Sequence, residues 1–198
     1  MIDAEGYAKI TDFGLSKQDI QGNNGAYSFC GTPEYLAPEI LAKTGHGKAV
    51  DWWSLGALIY EMLTGLPPFY TKDRDRLFNN IQYGEISYPE YLSQDVRVLL
   101  SGLFQKTPEM RLGSGPNGAN DVKRAAWFRT VDWDAVLRKE IKPFFIPNNP
   151  NPCAYFEQEF LVIPANDSAS REANLASSPT YEGWSYKGDS AFTGLAKD

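Results

Sequence analysis

Between residues 49 and 64 the apolar positions run nearly all round a helical wheel, interrupted by Asp51, Ser54 and Glu61 and closed by Gly65 and Pro67-Pro68. The pattern predicts a helix in the middle of a domain, with neighbours on every face. Residues 73–83 carry Leu77, Phe78 and Ile81 on one side. Ser93 is placed to cap a helix in which Val96, Leu99, Leu100, Leu103 and Phe104 recur at i, i+3, i+4, i+7 and i+8. Pro108 stops that helix, a glycine-rich loop runs from Gly113 to Gly118, and shorter helices are predicted over 121–126 and 134–141.

The two ends read differently. Met1-Ile2, a turn at Asp3-Ala4-Glu5-Gly6 and a returning strand over 7–11 predict the remnant of a hairpin whose first strand is almost missing, which leads us to expect a chain truncated at its N-terminus. Residues 16–35 are polar and glycine-rich with no period, a long loop of the kind that carries function. After Pro143, scattered aromatics among Pro147, Pro150, Pro152 and Pro164, followed by Ser168, Ser170, Ser177 and Ser178, predict a tail that wraps rather than packs alone. The fold class is mainly α, a small hairpin remnant aside.

Composition narrows the chemistry. With 198 residues, 42% of them hydrophobic, the chain can build one sizeable core. The net charge of -6 is concentrated at the end, where residues 151–198 hold 7 acids against 3 bases. No basic stripe is available to neutralise a run of phosphates, so nucleic acid is a poor partner and basic substrates fit better. Cys30 and Cys153 lack metal-ligand spacing, which argues against a zinc site or a disulfide framework and for a reducing interior, the cytoplasm with the nucleus as a second compartment. No apolar run has membrane-spanning length. The single histidine, His46, sits between two glycines and reads as a loop residue.

Against this background Asp12-Phe13-Gly14 is followed after twenty-five residues by Ala37-Pro38-Glu39, with Cys30-Gly31-Thr32-Pro33-Glu34-Tyr35 between them. Together these resemble the activation segment of a protein kinase. Ser28-Phe29-Cys30-Gly31-Thr32-Pro33, Asp51-Trp52-Trp53-Ser54-Leu55-Gly56, Arg111-Leu112-Gly113 and Lys142-Pro143-Phe144-Phe145-Ile146-Pro147 are similar to the AGC family of serine/threonine kinases, in feel nearest the protein kinase B and ribosomal S6 kinase branches. The resemblance implies a protein kinase-like fold: residues 1–128 as a partial C-terminal lobe with hairpin remnant, activation segment and helices, and 129–198 as the family's extended C-terminal tail.

It also implies roles. Asp12 would hold Mg²⁺ against the phosphates of ATP, and Phe156 would touch the adenine. Phe29, Pro33 and Leu36 would line the pocket for the residue after the phosphoacceptor, Thr32 would bond the catalytic loop, and Glu61 would bind a substrate arginine. Glu39 would pair with Arg111, and Asp51, whose residue type also suits a helix N-cap, would receive backbone N–H groups. Ser28, Ser185 in Tyr181-Glu182-Gly183-Trp184-Ser185-Tyr186, and Ser178 are candidate phosphorylation sites; phosphate adds about two negative charges and three acceptors.

The implied activity is transfer of the ATP γ-phosphate to Ser or Thr of basic proteins by a monomer under an upstream activating kinase. The sequence contains no ATP-binding Lys paired with a helix Glu, no His-Arg-Asp motif and no glycine-rich loop over phosphates, so the chain alone is expected to be inactive. A non-catalytic regulatory or docking fragment is the alternative.

Overall fold

The computed structural model describes residues 1–20, 22, 25–149, 151 and 153–164; Ser178, Ser185 and the aromatics around them lie outside the described residues. Among these residues the structure is mostly helical. It contains α1 (Pro38–Ala42), α2 (Ala49–Thr64), α3 (Arg74–Tyr83), α4 (Gln94–Leu103), α5 (Ala119–Lys123), α6 (Trp133–Leu137) and α7 (Gln158–Leu161), with 3-10 turns at Phe13–Leu15, Pro33–Tyr35, Pro108–Met110 and Ala126–Phe128. The chain divides into two compact units, Met1–Asn148 and Asn149–Asp198. No described helix is long and apolar enough to cross a membrane.

Local chemistry sets the ends. The Asp73 carboxylate accepts from the Arg76 N–H at 3.0 Å and Ser93 Oγ from the Val96 N–H at 3.4 Å, satisfying donors that the first turns of α3 and α4 leave open. Gly65 closes α2 in a left-handed conformation (φ 87°) and its N–H returns to the Glu61 carbonyl at 2.7 Å.

The core forms where α4 presents Val96, Leu99, Leu100 and Leu103 to α2, all nearly or wholly buried. Each such side chain contributes about 1.5–3 kcal/mol on burial. Trp53, fully buried, stacks parallel to Phe69 at 6.1 Å and meets the edge of Phe104 at 5.1 Å. Gly56 permits the close approach, since a Cβ there would lie 3.1 Å from Leu103 Cβ.

Three sequence expectations change. The returning hairpin strand reduces to one antiparallel bridge, Ile2 with Ala8, flanked by the bonds from the Asp3 N–H to the Tyr7 carbonyl and from the Lys9 N–H to the Met1 carbonyl. The helix expected over 134–141 ends at Leu137, where Lys139 turns left-handed. Asp51 is not the N-cap of α2: the cap is Lys48, and Asp51 lies exposed in the first turn, where its charge still suits the positive end of the helix. The apolar character of α2 on every face leaves one side open among the described residues, where Leu58 is 45% and Met62 69% exposed. The described partners cover the face of Ala49, Trp53, Gly56, Ala57, Ile59 and Tyr60.

Candidate functional site

Asp12 occupies left-handed backbone (φ 63°, ψ 66°), a region that non-glycine residues rarely adopt and Asp tolerates better than most. Such conformations gather at functional sites. Its carboxylate is solvent-exposed, and no described group of three His, Cys, Asp or Glu gathers anywhere that would build a protein cage for a metal. Mg²⁺ does not require one, because it keeps waters and takes one or two carboxylates together with phosphate oxygens. The exposed Asp12 fits that role as a single protein ligand.

The segment that follows is fixed at two places. Near its middle, Ala26 and His46 exchange backbone hydrogen bonds at 2.9 and 2.8 Å, tying the loop to the α1–α2 connection. At its end, Pro38 and Glu39 open α1, and both Glu39 oxygens accept from the Arg111 guanidinium at 2.7 and 3.0 Å. Arg111 donates further to the carbonyls of Ala49 (2.8 Å) and Gln105 (3.0 Å), and its guanidinium carbon lies 5.2 Å from the centroid of Trp53. The pair is buried, with side-chain exposures of 0% for Arg111 and 7% for Glu39. Four bonds and a ring face replace the water that both ions gave up.

Between these anchors the loop borders an open cleft of about 420 Å³ lined by Ser28, Cys30, Thr32, Tyr35, Leu36, His46, Lys48 and Asp51, among others. Ser28 is half-buried on its wall. Thr32 is exposed and precedes the Pro33–Tyr35 turn, where its carbonyl accepts from the Tyr35 N–H at 3.1 Å. Phe29, 44% exposed, meets the Phe78 ring of α3 edge-on at 6.1 Å. Pro33 is half-buried, whereas Leu36, only 4% exposed, reaches the cleft from within the core. Burial raises the pKa of the Asp51 carboxyl, which borders the cleft despite its exposed rim position, and the nearby His46 opposes that rise.

Glu61 of α2 accepts a hydrogen bond from the Tyr35 hydroxyl. That bond, with burial and the added charge of Glu34, pushes the Tyr35 phenol up to about 12. The bond brings the carboxylate read from sequence as an arginine acceptor against the segment that follows Cys30-Gly31-Thr32. Phe156 lies exposed in the second unit, its N–H donating to the Cys153 carbonyl at 3.1 Å.

Two features gain a role that the sequence reading did not give them. Gly113-Ser114-Gly115-Pro116-Asn117-Gly118 has the G-x-G-x-x-G spacing of a phosphate loop, but no described strand enters it and α5 behind it has five residues. Gly113 (φ 92°) instead packs on Trp52, where a Cβ would come within 2.6 Å of the indole. The loop is therefore a packing turn.

The second is Lys106, whose ammonium donates to the Ile81 carbonyl and lies 4.6 Å from the Phe69 centroid and 5.2 Å from that of Trp53. Ring faces favour the cation by about 0.5–2 kcal/mol. Desolvation outweighs them and pushes the pKa down from 10.5 to about 8.

A pH profile of stability follows from this and from the tyrosines. Between about 8 and 10.5 the unfolded chain holds a proton on Lys106 that the folded chain has released, so stability rises with pH. Above 10 unfolded tyrosines ionise, while Tyr35 and half-buried Tyr88 keep their protons to about 12, so stability falls. Urea midpoints measured against pH should climb from 8 and turn over above 10, with the climb absent in Lys106→Met. An unchanged climb in that variant would discard this account.

Residues 1–128 match the family described as the protein kinase domain. The chain belongs to the protein kinase family. It is 46% identical over 179 residues to serine/threonine-protein kinase akt-1 of Caenorhabditis elegans, covering 89% of this chain and 33% of that protein. It is 42% identical over 200 residues to ribosomal protein S6 kinase alpha-1 of Homo sapiens (100% of this chain, 27% of the relative) and 41% identical over 197 residues to ribosomal protein S6 kinase beta of Caenorhabditis elegans (98% and 34%). These relatives place the kinase sequence in the AGC group. The chain spans between a quarter and about a third of their length.

Proposed function

We propose that this chain supplies the metal-binding and substrate-facing part of an AGC serine/threonine kinase that moves the γ-phosphate of ATP to Ser or Thr of basic proteins. The observation that carries the reading is the Asp12-to-Glu39 segment, anchored at its far end by the buried Glu39–Arg111 pair. When bound, Mg²⁺ with ATP supplies the electrophilic phosphorus and neutralises its charge. Asp12 holds the metal, Glu61 attracts a substrate arginine, Phe29 and Pro33 offer apolar surface to the residue after the phosphoacceptor, and Ser28 receives the activating phosphate from an upstream kinase in the cytoplasm or nucleus. Phe156 packs beside the adenine, and Ser178 and Ser185 are further phosphate acceptors.

The 198 residues alone lack a catalytic base and a phosphate clamp, so by themselves they turn over no substrate. The test is a chimera in which the nucleotide loop, lysine and His-Arg-Asp region of ribosomal protein S6 kinase alpha-1 precede residues 1–198. An arginine-containing peptide should be phosphorylated, Asp12→Asn should lower kcat by about 10³-fold, and Glu61→Gln should raise KM for that peptide while sparing one without arginine. A folded chimera that binds basic peptide but transfers no phosphate would replace this reading with that of a docking fragment.

A further inference from the structure

The hairpin leading to Asp12 is gripped by the residues that follow α6. Lys139 turns left-handed (φ 58°), with its N–H bonded to the Val136 carbonyl at 3.1 Å and the Glu140 N–H to that of Ala135 at 2.9 Å. This paired pattern is a helix C-cap in which glycine is the residue of least strain. The lysine here does more than end a helix. Its carbonyl accepts from the Tyr7 hydroxyl at 2.9 Å, its ammonium donates to Glu5 Oε2 at 2.9 Å, and the same ammonium lies 4.8 Å from the Tyr7 ring centroid. The opposing carboxylate raises the pKa of the Lys139 ammonium, a direction consistent with that geometry.

Gly6 completes the contact. It is left-handed (φ 92°), and a Cβ there would fall 2.3 Å from the Phe145 carbonyl oxygen and 2.8 Å from Pro143 Cβ. Three successive hairpin residues, Glu5, Gly6 and Tyr7, are thus held by the stretch from Lys139 to Phe145. Asp12 follows Tyr7 by five residues, in a left-handed conformation with no side-chain cap bond of its own.

We propose that Lys139 is a positioning residue: by clamping Glu5 and Tyr7 to the end of α6, it fixes the backbone from which Asp12 projects, so that the segment after the last core helix helps aim the metal carboxylate. The inference rests on the reading of Asp12 as that carboxylate. The competing account, in which Lys139 merely ends α6 and its contacts add general stability, predicts no local effect.

Hydrogen–deuterium exchange on the 198-residue chain separates them. The Asp3 and Lys9 amides, bonded to the carbonyls of Tyr7 (2.9 Å) and Met1 (2.8 Å), report the hairpin, and the Ser16 amide, bonded to the Phe13 carbonyl at 3.0 Å, reports the turn after Asp12. Lys139→Gly keeps the left-handed cap and removes the side chain; Tyr7→Phe removes only the hydroxyl. In both, the three amides should exchange about 3- to 10-fold faster while those of α2 and α4 hold their rates. Exchanging the charges, Glu5→Lys with Lys139→Glu, should restore most of the protection.

Parent rates at all three amides in both variants would overturn the proposal, as would parallel acceleration in α2 and α4. Faster hairpin amides with Ser16 unchanged would end the clamp before Asp12 and overturn the positioning role. No arm requires phosphate transfer, so these outcomes are distinct from failure of the kinase reading.

Discussion

Arg111→Met should lower the unfolding free energy by about 3–5 kcal/mol, because it strands a carboxylate that has surrendered its water. Glu39 would lose donors at 2.7 and 3.0 Å, and the carbonyls of Ala49 and Gln105 would lose theirs at 2.8 and 3.0 Å. With Glu39 7% exposed, solvent cannot replace them without opening the core. For a chain of this size the melting temperature should fall by about 10 °C or more. The double variant Glu39→Met with Arg111→Met should recover part of the loss, since it removes both charges rather than stranding one. A single-variant loss under about 1 kcal/mol in urea would show that the pair is solvated after all. The pair also holds the end of the segment beginning at Asp12, so partial unfolding should start there. Raised protease sensitivity between Cys30 and Tyr35, before loss of helical signal, is the corresponding local readout.

What could be read from sequence divides along a physical line. Elements whose identity is decided by burial, such as α2 and α4, were legible because apolar periodicity is a direct record of which faces meet the core. The Ser93 cap was equally plain, whereas Asp73, read as the first residue of its helix, turns out to cap it. Asp51 was misplaced because its residue type permits a cap but the incoming chain, Gly47-Lys48, decides where the helix begins. The hairpin strand shortened because strand formation depends on a partner, and the tally of partners is not local.

The candidate site shows the same division. Glu39 and Arg111 could be paired through family resemblance, yet the Ala49 and Gln105 carbonyls that complete the guanidinium's bonding have no sequence signature. The left-handed backbone at Asp12 and the bond from Tyr35 to Glu61 are likewise three-dimensional facts. Lys106, flanked by Gln105 and Thr107, reads as a solvated lysine. Only the fold brings Trp53 and Phe69 over it.

Trp53→Ala is expected to cost about 3–5 kcal/mol, comparable with loss of the ion pair, but through a different route. The indole is fully buried, stacks on Phe69, meets Phe104 edge-on and underlies two cations, Lys106 and Arg111, each 5.2 Å from its centroid. Removing it leaves a cavity bounded by the very groups that depend on dry surroundings. If water enters, the desolvation that pushes Lys106 down to about 8 is relieved, and its pKa should move back toward 10.5. The climb in urea midpoint above pH 8 should then flatten in Trp53→Ala even though Lys106 is still present. A dry cavity would keep the climb and show only the packing loss, which discriminates hydration from truncation. Coupling to the ion pair gives a second check: because the ring supports the guanidinium, Trp53→Ala and Arg111→Met together should destabilise by less than the sum of their separate effects. Full additivity would mean that Arg111 is held by its four hydrogen bonds alone and that the ring beneath it contributes nothing to the pair.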